Sequence, residues 1–295
     1  MSYDIFSDSS CDLSDDIIKE NNIHQVYFYV SFDDNKYMKE KIEIDTIDYY
    51  KKIINENLFP KTSMPNVQDY IDAFTPTIKA GKDVICVCIS KQLSGSYQSA
   101  MAAKDILLES YPNNKIEIIE SGMCTVEQGL LIMEIVRMRD ADIDFEQTVQ
   151  NIRRILPTGR IFFTVDNLEY LKKGGRIGNV AYFAAAAMGL KPLIIMKEGE
   201  IFSGGIARGK KKALKKIQEN GLRHFKKTGE DPNDYSFIIG KGLELDEAVD
   251  LSKQVKDTFK LTYDIPVWQI GSTVCTHTGP YPLGFGFVKK YDSKI

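Results

Sequence analysis

Val84-Ile85-Cys86-Val87-Cys88-Ile89 is an uninterrupted apolar run with polar residues on both sides. A short run of this kind is typical of a strand that is buried on both faces of a parallel sheet. Segments of strand and helical character alternate around it, which predicts an α/β domain whose parallel sheet is flanked by helices. Its further strands are predicted at residues 3–6, 26–32 and 116–119, its helices at 67–80, 96–110 and 125–139, and a loop at 62–66.

After about residue 160 the predicted strands lie closer together in the sequence. A Gly199-Glu200 turn between two of them predicts an antiparallel hairpin. We therefore predict two domains, residues 1–158 with the parallel sheet and residues 159–295 with a mixed sheet covered by helices. The strands of the second domain are predicted at 161–165, 193–196, 200–203, 235–239 and 266–273, and its helices at 209–225 and 246–259.

Composition narrows the class of protein. The net charge of −3 argues against a general nucleic-acid binder. The first residues carry no basic and apolar signal region, so we expect a cytoplasmic protein with reduced thiols.

Cys86 and Cys88 face one side of the predicted strand, where two buried small side chains are favoured over half of a metal site. The apolar run from Val180 to Met196, interrupted by Lys191-Pro192, is expected to form a buried helix and then a strand, not a membrane span.

Three polar turns, far apart in the sequence, carry the candidate binding residues. One of them, at Ser94-Gly95, follows the predicted central strand and precedes a helix. Ligands bind open α/β sheets at that edge, and the free N–H groups of a helix start attract anions. The turns offer neutral donors for one small carboxylate, and the candidate residues are Thr62, Ser63, Ser94, Gly95 and His277.

Each of these residues also has an ordinary structural interpretation. Ser94 or Ser96 could be only a helix N-cap, and the Thr62 hydroxyl could bond its own loop. His277, which we expect at the end of a strand, could be a structural histidine, a neutral donor or an imidazolium. A serine esterase or thioesterase that uses Ser94 and His277, with Asp8 able to complete a triad, is a further alternative, although Ser94 does not lie in a G-x-S-x-G elbow.

Basic residues concentrate in the segment 208–227, which holds nine Lys or Arg and one acidic residue. Such a run is usually a solvated helix face, but it also suits a surface that docks an acidic partner. The segment 172–178 is basic and glycine-rich, yet it lacks the spacing of a phosphate-binding loop. A glycine-rich turn is therefore favoured there.

The stretch Asp166-Asn167-Leu168-Glu169-Tyr170-Leu171-Lys172-Lys173-Gly174-Gly175-Arg176-Ile177-Gly178 closely resembles the signature of the DegV family. Ser7-Asp8-Ser9-Ser10-Cys11-Asp12-Leu13 resembles the N-terminal motif of that family, and the three polar turns are similar to its other motifs in the same order. The chain differs from the family pattern at Asn66 and at Tyr281-Pro282, which puts the acyl-chain preference in question.

The resemblance implies a two-domain protein that holds one long-chain fatty acid between its domains. It implies a binding subunit (FakB type) that presents the carboxylate to an ATP-dependent fatty-acid kinase and is not itself an enzyme. Thr62, Ser94 and His277, with Ser63 and Gly95 beside them, would bind the carboxylate. Other implied features are partner docking by Arg176 and Arg208, transient membrane contact, no nucleic acid, no metal, and no cofactor apart from the fatty acid.

Overall fold

The structure is a computed structural model that describes residues 3–33, 35–180, 189–243 and 245–293. Its strands are β1 (Tyr3–Asp8), β2 (Ile23–Val26), β3 (Tyr29–Ser31), β4 (Met38–Lys39), β5 (Lys61–Ser63), β6 (Asp83–Cys88), β7 (Ile116–Glu120), β8 (Arg160–Thr164), β9 (Leu190–Lys197), β10 (Glu200–Arg208), β11 (Tyr235–Lys241), β12 (Val267–Gln269) and β13 (Leu283–Lys289). Its α-helices are α1 (Asp15–Glu20), α2 (Thr46–Glu56), α3 (Val67–Lys79), α4 (Ser96–Ser110), α5 (Thr125–Asp140), α6 (Phe145–Ile155), α7 (Glu169–Lys173), α8 (Lys210–Thr228), α9 (Leu245–Phe259) and α10 (Ser272–Thr278).

A parallel sheet with strand order β2-β1-β6-β7 organises the N-terminal domain. The predicted central strand is confirmed, because β6 lies between β1 and β7 and is buried from Val84 to Cys88. Cys86 and Cys88 point into one core with Phe6, which confirms their prediction as buried small side chains. After β1 the chain continues to β2 at one edge of the sheet, and after β6 it continues to β7 at the other edge. The loops after β1 and β6 therefore diverge and open a crevice at the carboxyl ends of these two strands.

Two predictions in this domain are wrong in detail. The strand predicted at 26–32 is divided, because β2 ends at Val26 and β3 belongs to a separate antiparallel sheet of order β4-β3-β5. Between them the Phe28 N–H donates to Ser9 Oγ at 2.8 Å, which holds the chain outside both sheets. The loop predicted at 62–66 begins as strand β5, with Thr62 opposite Val30.

The C-terminal domain contains a six-stranded sheet of order β10-β9-β8-β13-β11-β12. Its pairs are antiparallel except β11–β12, so the predicted mixed sheet is confirmed. The predicted hairpin is confirmed too: β9 and β10 are antiparallel, and Gly199 at their turn has a φ of +85°. Helices α8 and α9 contribute Ile217, Phe225 and Phe259 to a core with the aromatic side chains of β11 and β13.

The strand predicted at 266–273 is wrong after Gln269, because α10 starts at Ser272. The segment is rich in β-branched residues, which favour strands. In the helix the Thr276 hydroxyl donates to Ser272 O and the Thr278 hydroxyl donates to Val274 O. These bonds to the preceding turn give threonine a satisfied place in a helix.

Among the described residues, the strands of the six-stranded sheet all follow residue 158. A 3₁₀ turn at Leu156–Thr158 follows α6, and β8, the first strand of the six-stranded sheet, starts at Arg160. The division at 1–158 and 159–295 stays a prediction, although this change of sheet falls at the same place. The buried helix expected in the run after Val180 lies outside the described residues, whereas β9 supplies the strand expected after it. Among the residues that the structure describes, no helix is long and apolar enough to cross a membrane.

Candidate functional site

A cavity of about 320 Å³ lies between the two domains. This volume falls in the usual range of small-molecule sites. The two domains share the lining, and most of the side chains that form it are apolar. The apolar lining residues are Phe28, Met64, Ile89, Leu93, Cys124, Val126, Ile161, Phe163, Leu171, Met196, Ile201, Ile270, Val274, Pro282, Leu283 and Phe285.

All five candidate carboxylate-binding residues line this cavity, and we name them the polar cluster: Thr62, Ser63, Ser94, Gly95 and His277. Strand β5 carries the first two, the turn before α4 carries the next two, and the last turn of α10 carries His277. The structure thus brings together residues that are up to 215 positions apart. The placement of His277 at a strand end was wrong, since it lies in a helix. Their predicted role on a carboxylate stays a prediction.

The imidazole ring of His277 lies between Thr62 and Gly174. Its Nε2 lies 3.0 Å from Thr62 Oγ1. Within the described residues its Nδ1 is buried and has no hydrogen-bond partner, and a Cβ added to Gly174 would lie only 2.2 Å from that atom. A glycine in the 166–178 stretch is therefore needed for the imidazole to fit. Burial, together with the positive charge of Arg176, lowers the pKa of His277 to about 3, so the ring is neutral at pH 7.

The turn before α4 presents backbone donors. Gly95 is the N-cap residue of α4, so neither Ser94 nor Ser96 holds the N-cap position. Ser94 Oγ accepts from the Ser96 N–H at 3.2 Å, which leaves its own proton for a ligand. Met64 covers this turn, because a Cβ on Gly95 would lie 2.6 Å from its Sδ. Met64 is 42% exposed, so the polar cluster is close to solvent.

Arg176 lies beside the polar cluster and bonds the residue before Ser94 and the glycine that packs on His277. It is exposed and lines the cavity, and it donates to Leu93 O at 3.1 Å and to Gly174 O at 2.8 Å. The glycine-rich turn predicted here is confirmed, since Gly175 follows α7 with a φ of +69°. Arg208 is exposed at the end of β10 and is not among the described residues that line the cavity.

Asp8 is engaged away from His277, so the triad of Ser94, His277 and Asp8 is wrong in its geometry, whereas the esterase alternative on Ser94 and His277 alone stays a prediction. The carboxylate is fully buried and accepts hydrogen bonds from the Ile89 N–H at 2.9 Å and from Ser96 Oγ at 2.7 Å. Gln128 Nε2 donates to it as well, at 2.9 Å. Asp8 therefore joins the carboxyl ends of β1 and β6, whereas no acid bonds His277 Nδ1 in the part of the chain that the structure describes.

Two buried acids behind the cavity wall were missed by the sequence analysis. Asp12 Oδ2 accepts from Thr125 Oγ1 at 2.5 Å, and Glu40 Oε2 accepts from the Thr273 N–H at 2.9 Å. Burial raises the pKa of Asp12 to about 8 and also raises that of Glu40. Both threonines line the cavity. The one signal in the sequence was the position of Asp12 in the polar turn after β1, at the edge where ligands bind.

A metal site was not expected. Among the described residues there is no group of three or more His, Cys, Asp or Glu that could hold a metal ion.

Comparison with known proteins gives a consistent result. The family model described as "uncharacterised protein, DegV family" matches residues 2–290. A stearic-acid-binding protein from Eubacterium ventriosum has a similar structure, with a TM-score of 0.93 and 38% identity, covering 98% of this chain and 99% of that one. A DegV family protein from Thermus thermophilus, described as binding fatty acid, has a TM-score of 0.86 and 26% identity over 98% of this chain and 100% of that one. A DegV domain-containing protein of Clostridium acetobutylicum is 29% identical over 287 residues, which cover 97% of this chain and 98% of that protein. The chain belongs to the DegV family.

Proposed function

We propose that this protein binds one long-chain fatty acid between its domains and presents the carboxylate to a partner kinase. The observation that carries the proposal is a cavity whose lining is mostly apolar and whose polar cluster lies near solvent. Thr62, Ser94 and His277 would bind the carboxylate, with Ser63 and Gly95 beside them. The similar structures from Eubacterium ventriosum and Thermus thermophilus, both described as fatty-acid binding, support this assignment.

The tail and the carboxylate of the ligand contribute differently to the free energy of binding. A C16 tail has about 14 methylenes, and burying each contributes ~0.8 kcal/mol, a gross gain of ~11 kcal/mol. A charge-assisted hydrogen bond contributes ~1.5–3 kcal/mol, and most of that offsets the desolvation of the carboxylate. The apolar lining therefore sets affinity, and the polar cluster sets the orientation of the carboxylate.

Presentation to a kinase requires that the carboxylate can be reached from outside. Met64 and Arg176 are both exposed beside the polar cluster, so a partner could approach at this point. The basic segment 208–227, most of which forms α8, offers a surface of complementary charge for an acidic partner. In this proposal Arg176 and Arg208 contact the kinase, the chain itself is not an enzyme, and the complex works in the cytoplasm with transient membrane contact.

Native mass spectrometry of the purified protein, followed by denaturing extraction and lipid analysis, tests the binding step. One fatty acid per chain is the expected result. An empty protein that also takes up no added fatty acid would overturn the proposal.

Incubation of the loaded protein with ATP and a purified bacterial fatty-acid kinase subunit tests the presentation step. Acyl phosphate should form only when both proteins are present. Loaded protein that yields no acyl phosphate with such a kinase, or that turns over an acyl ester without ATP, would contradict the carrier role.

A further inference from the structure

The turn between β6 and α4 carries Ser94 and Gly95, two residues of the polar cluster. Ile89 stands just before this turn, and Ser96 follows it as the first residue of α4. Ser96 acts on the polar cluster directly, because its N–H donates to Ser94 Oγ at 3.2 Å. The place of the Ser94 hydroxyl in the cavity therefore depends on how Ile89 and Ser96 are held.

One buried carboxyl group binds both of these flanking residues. Asp8 Oδ2 accepts from the Ile89 N–H at 2.9 Å and from the Ser96 hydroxyl at 2.7 Å. Asp8 and Ser96 are both 0% exposed, so water does not compete for these bonds, and the low dielectric of the interior strengthens them. Asp8 thus ties the end of β6 to the start of α4, across the turn that carries Ser94.

The other oxygen of the same carboxyl group bonds the interior of the N-terminal domain. Asp8 Oδ1 accepts from the Ser10 hydroxyl at 2.6 Å and from Gln128 Nε2 at 2.9 Å. Asp8, Ser10 and Gln128 are not among the described residues that line the cavity. The two oxygens of Asp8 therefore have separable roles, one toward the Ser94 turn and one toward the interior.

A further bond at Ser96 connects this arrangement to the other N-terminal part of the polar cluster. The Tyr70 hydroxyl lies 2.6 Å from Ser96 Oγ. Because Ser96 gives its one hydroxyl proton to Asp8, Tyr70 is the donor in this pair. Tyr70 belongs to α3, which follows the strand that carries Thr62. A chain of hydrogen bonds thus runs from α3 through Ser96 to Asp8.

We propose that Asp8 is a positioning residue for the carboxylate of the ligand, and that it acts through Ser96 on the Ser94 hydroxyl. The inference rests on the proposed fatty-acid binding and gives a function to a residue outside the cavity lining. Phosphoryl transfer to the carboxylate needs its oxygen at a defined place, and a displacement of about 1 Å lowers such a rate strongly. Retention of the lipid depends on burial of the tail, so it does not need the Asp8–Ser96 bond.

Two serine variants separate positioning from stability. Ser96→Ala removes the bond on the side of the turn, and Ser10→Ala removes the bond on the interior side. Each change deletes one fully buried hydroxyl from the same carboxyl group, and each hydroxyl has one further partner, Tyr70 or Gln128. The two variants should therefore lose similar stability. Asp8→Asn is the conservative variant, because its amide oxygen can still accept from the turn.

The test loads each protein with hexadecanoic acid that is labelled with ¹³C at its carboxyl carbon, and native mass spectrometry measures the loading. The ¹³C NMR resonance reports the surroundings of the carboxylate, and incubation with ATP and a purified bacterial fatty-acid kinase subunit gives the rate of acyl-phosphate formation per loaded chain. Ser96→Ala should shift or split the resonance and lower the rate about tenfold. Ser10→Ala and Asp8→Asn should keep the wild-type resonance and a rate within about twofold.

The outcomes distinguish this inference from the proposed function. An unchanged resonance in Ser96→Ala, or the same change in Ser96→Ala and Ser10→Ala, would overturn the positioning role. A wild type that binds no fatty acid would overturn the fatty-acid function and the inference with it. A wild type that binds the acid but yields no acyl phosphate would overturn only the presentation step, because the resonance still tests the positioning. If Ser96→Ala does not fold, Ser96→Cys, a weak donor of similar size, should give the same shift.

Discussion

Replacing Asp12 by Asn tests whether the acids behind the cavity wall lower the stability of the fold at neutral pH. Asp12 is 4% exposed, and burial raises its pKa from 3.8 to about 8, with the neighbouring Glu40 adding to the rise and the hydrogen bond from Thr125 opposing it. Between these two pH values the folded chain keeps a proton that the unfolded chain has lost. Unfolding then releases a proton, so stability falls as the pH rises, by ~1.4 kcal/mol per unit.

The magnitude follows from that slope. Below about pH 4 the carboxyl is protonated in both states and costs nothing, and above about pH 8 the cost is constant. Between pH 5 and pH 7 the wild type should lose ~2.7 kcal/mol of unfolding free energy through Asp12 alone. Asp12→Asn cannot ionise, and its amide oxygen can still accept from Thr125. The variant should therefore be increasingly more stable than the wild type as the pH rises through this range.

Urea unfolding of both delipidated proteins at about pH 5, 6 and 7 measures this difference. Asp16→Asn is the matched control, because Asp16 is exposed on α1 and a surface change of this kind is expected to stay within ~0.5 kcal/mol. If the gap between wild type and Asp12→Asn were the same at all three pH values, Asp12 would be ionised in the folded protein and the reasoning refuted.

Three further predictions concern the ligand and its partner. Ser94→Ala should lower acyl-phosphate formation about tenfold or more while the amount of fatty acid per purified chain stays near the wild-type value. The reason is that one hydrogen bond contributes little compared with ~11 kcal/mol of tail burial. Equal loss of acyl-phosphate formation and of bound fatty acid would contradict the separate roles of the polar cluster and the apolar lining. Gly240→Val should shift the extracted fatty acids toward tails shorter by about two methylenes. A Cβ at this position would lie 3.0 Å from the side chain of Val126, which also lines the cavity, so the added side chain narrows the space for the tail. An unchanged lipid profile would show that the tail does not reach β11. Replacing Arg208, Lys211 and Lys215 by Glu, which reverses their charge, should abolish acyl-phosphate formation with the kinase while the bound lipid is retained. Unchanged acyl-phosphate formation would mean that the basic surface of α8 is only a solvated helix face.

Much of the fold was predictable because its strongest signals are local. The apolar run at Val84–Cys88 predicted a buried parallel strand, and the Gly199 turn predicted the hairpin. The strand predicted through Thr273 failed because β-branched residues favour strands only weakly. In α10 the strand preference is outweighed by packing and by hydrogen bonds such as the one that the Thr278 hydroxyl donates to Val274 O.

The polar cluster was predictable from residue type and motif order, but the groups behind it were not. Charged residues are normally exposed, so nothing in the sequence separated Glu40 from the exposed acids around it. Its burial depends on Ser9 and Thr273, which approach it from a distant loop and a distant helix. A hydrogen bond of this kind exists only after the domains are packed, and a local pattern does not encode it.

Different parts of the chain therefore control the two properties of the ligand site. The polar cluster depends on turns of the N-terminal domain and on His277, whose position Gly174 permits by having no side chain. Strands β11 and β13 contribute Gly240, Leu283, Gly284 and Phe285 to the lining, and Gly240 and Gly284 are paired across the sheet. A change in the first set should alter how the carboxylate is presented, and a change in the second should alter which tail fits. Related chains could thus diverge in acyl preference through β11 and β13 while they keep the glycine-rich turn and the orientation of the carboxylate.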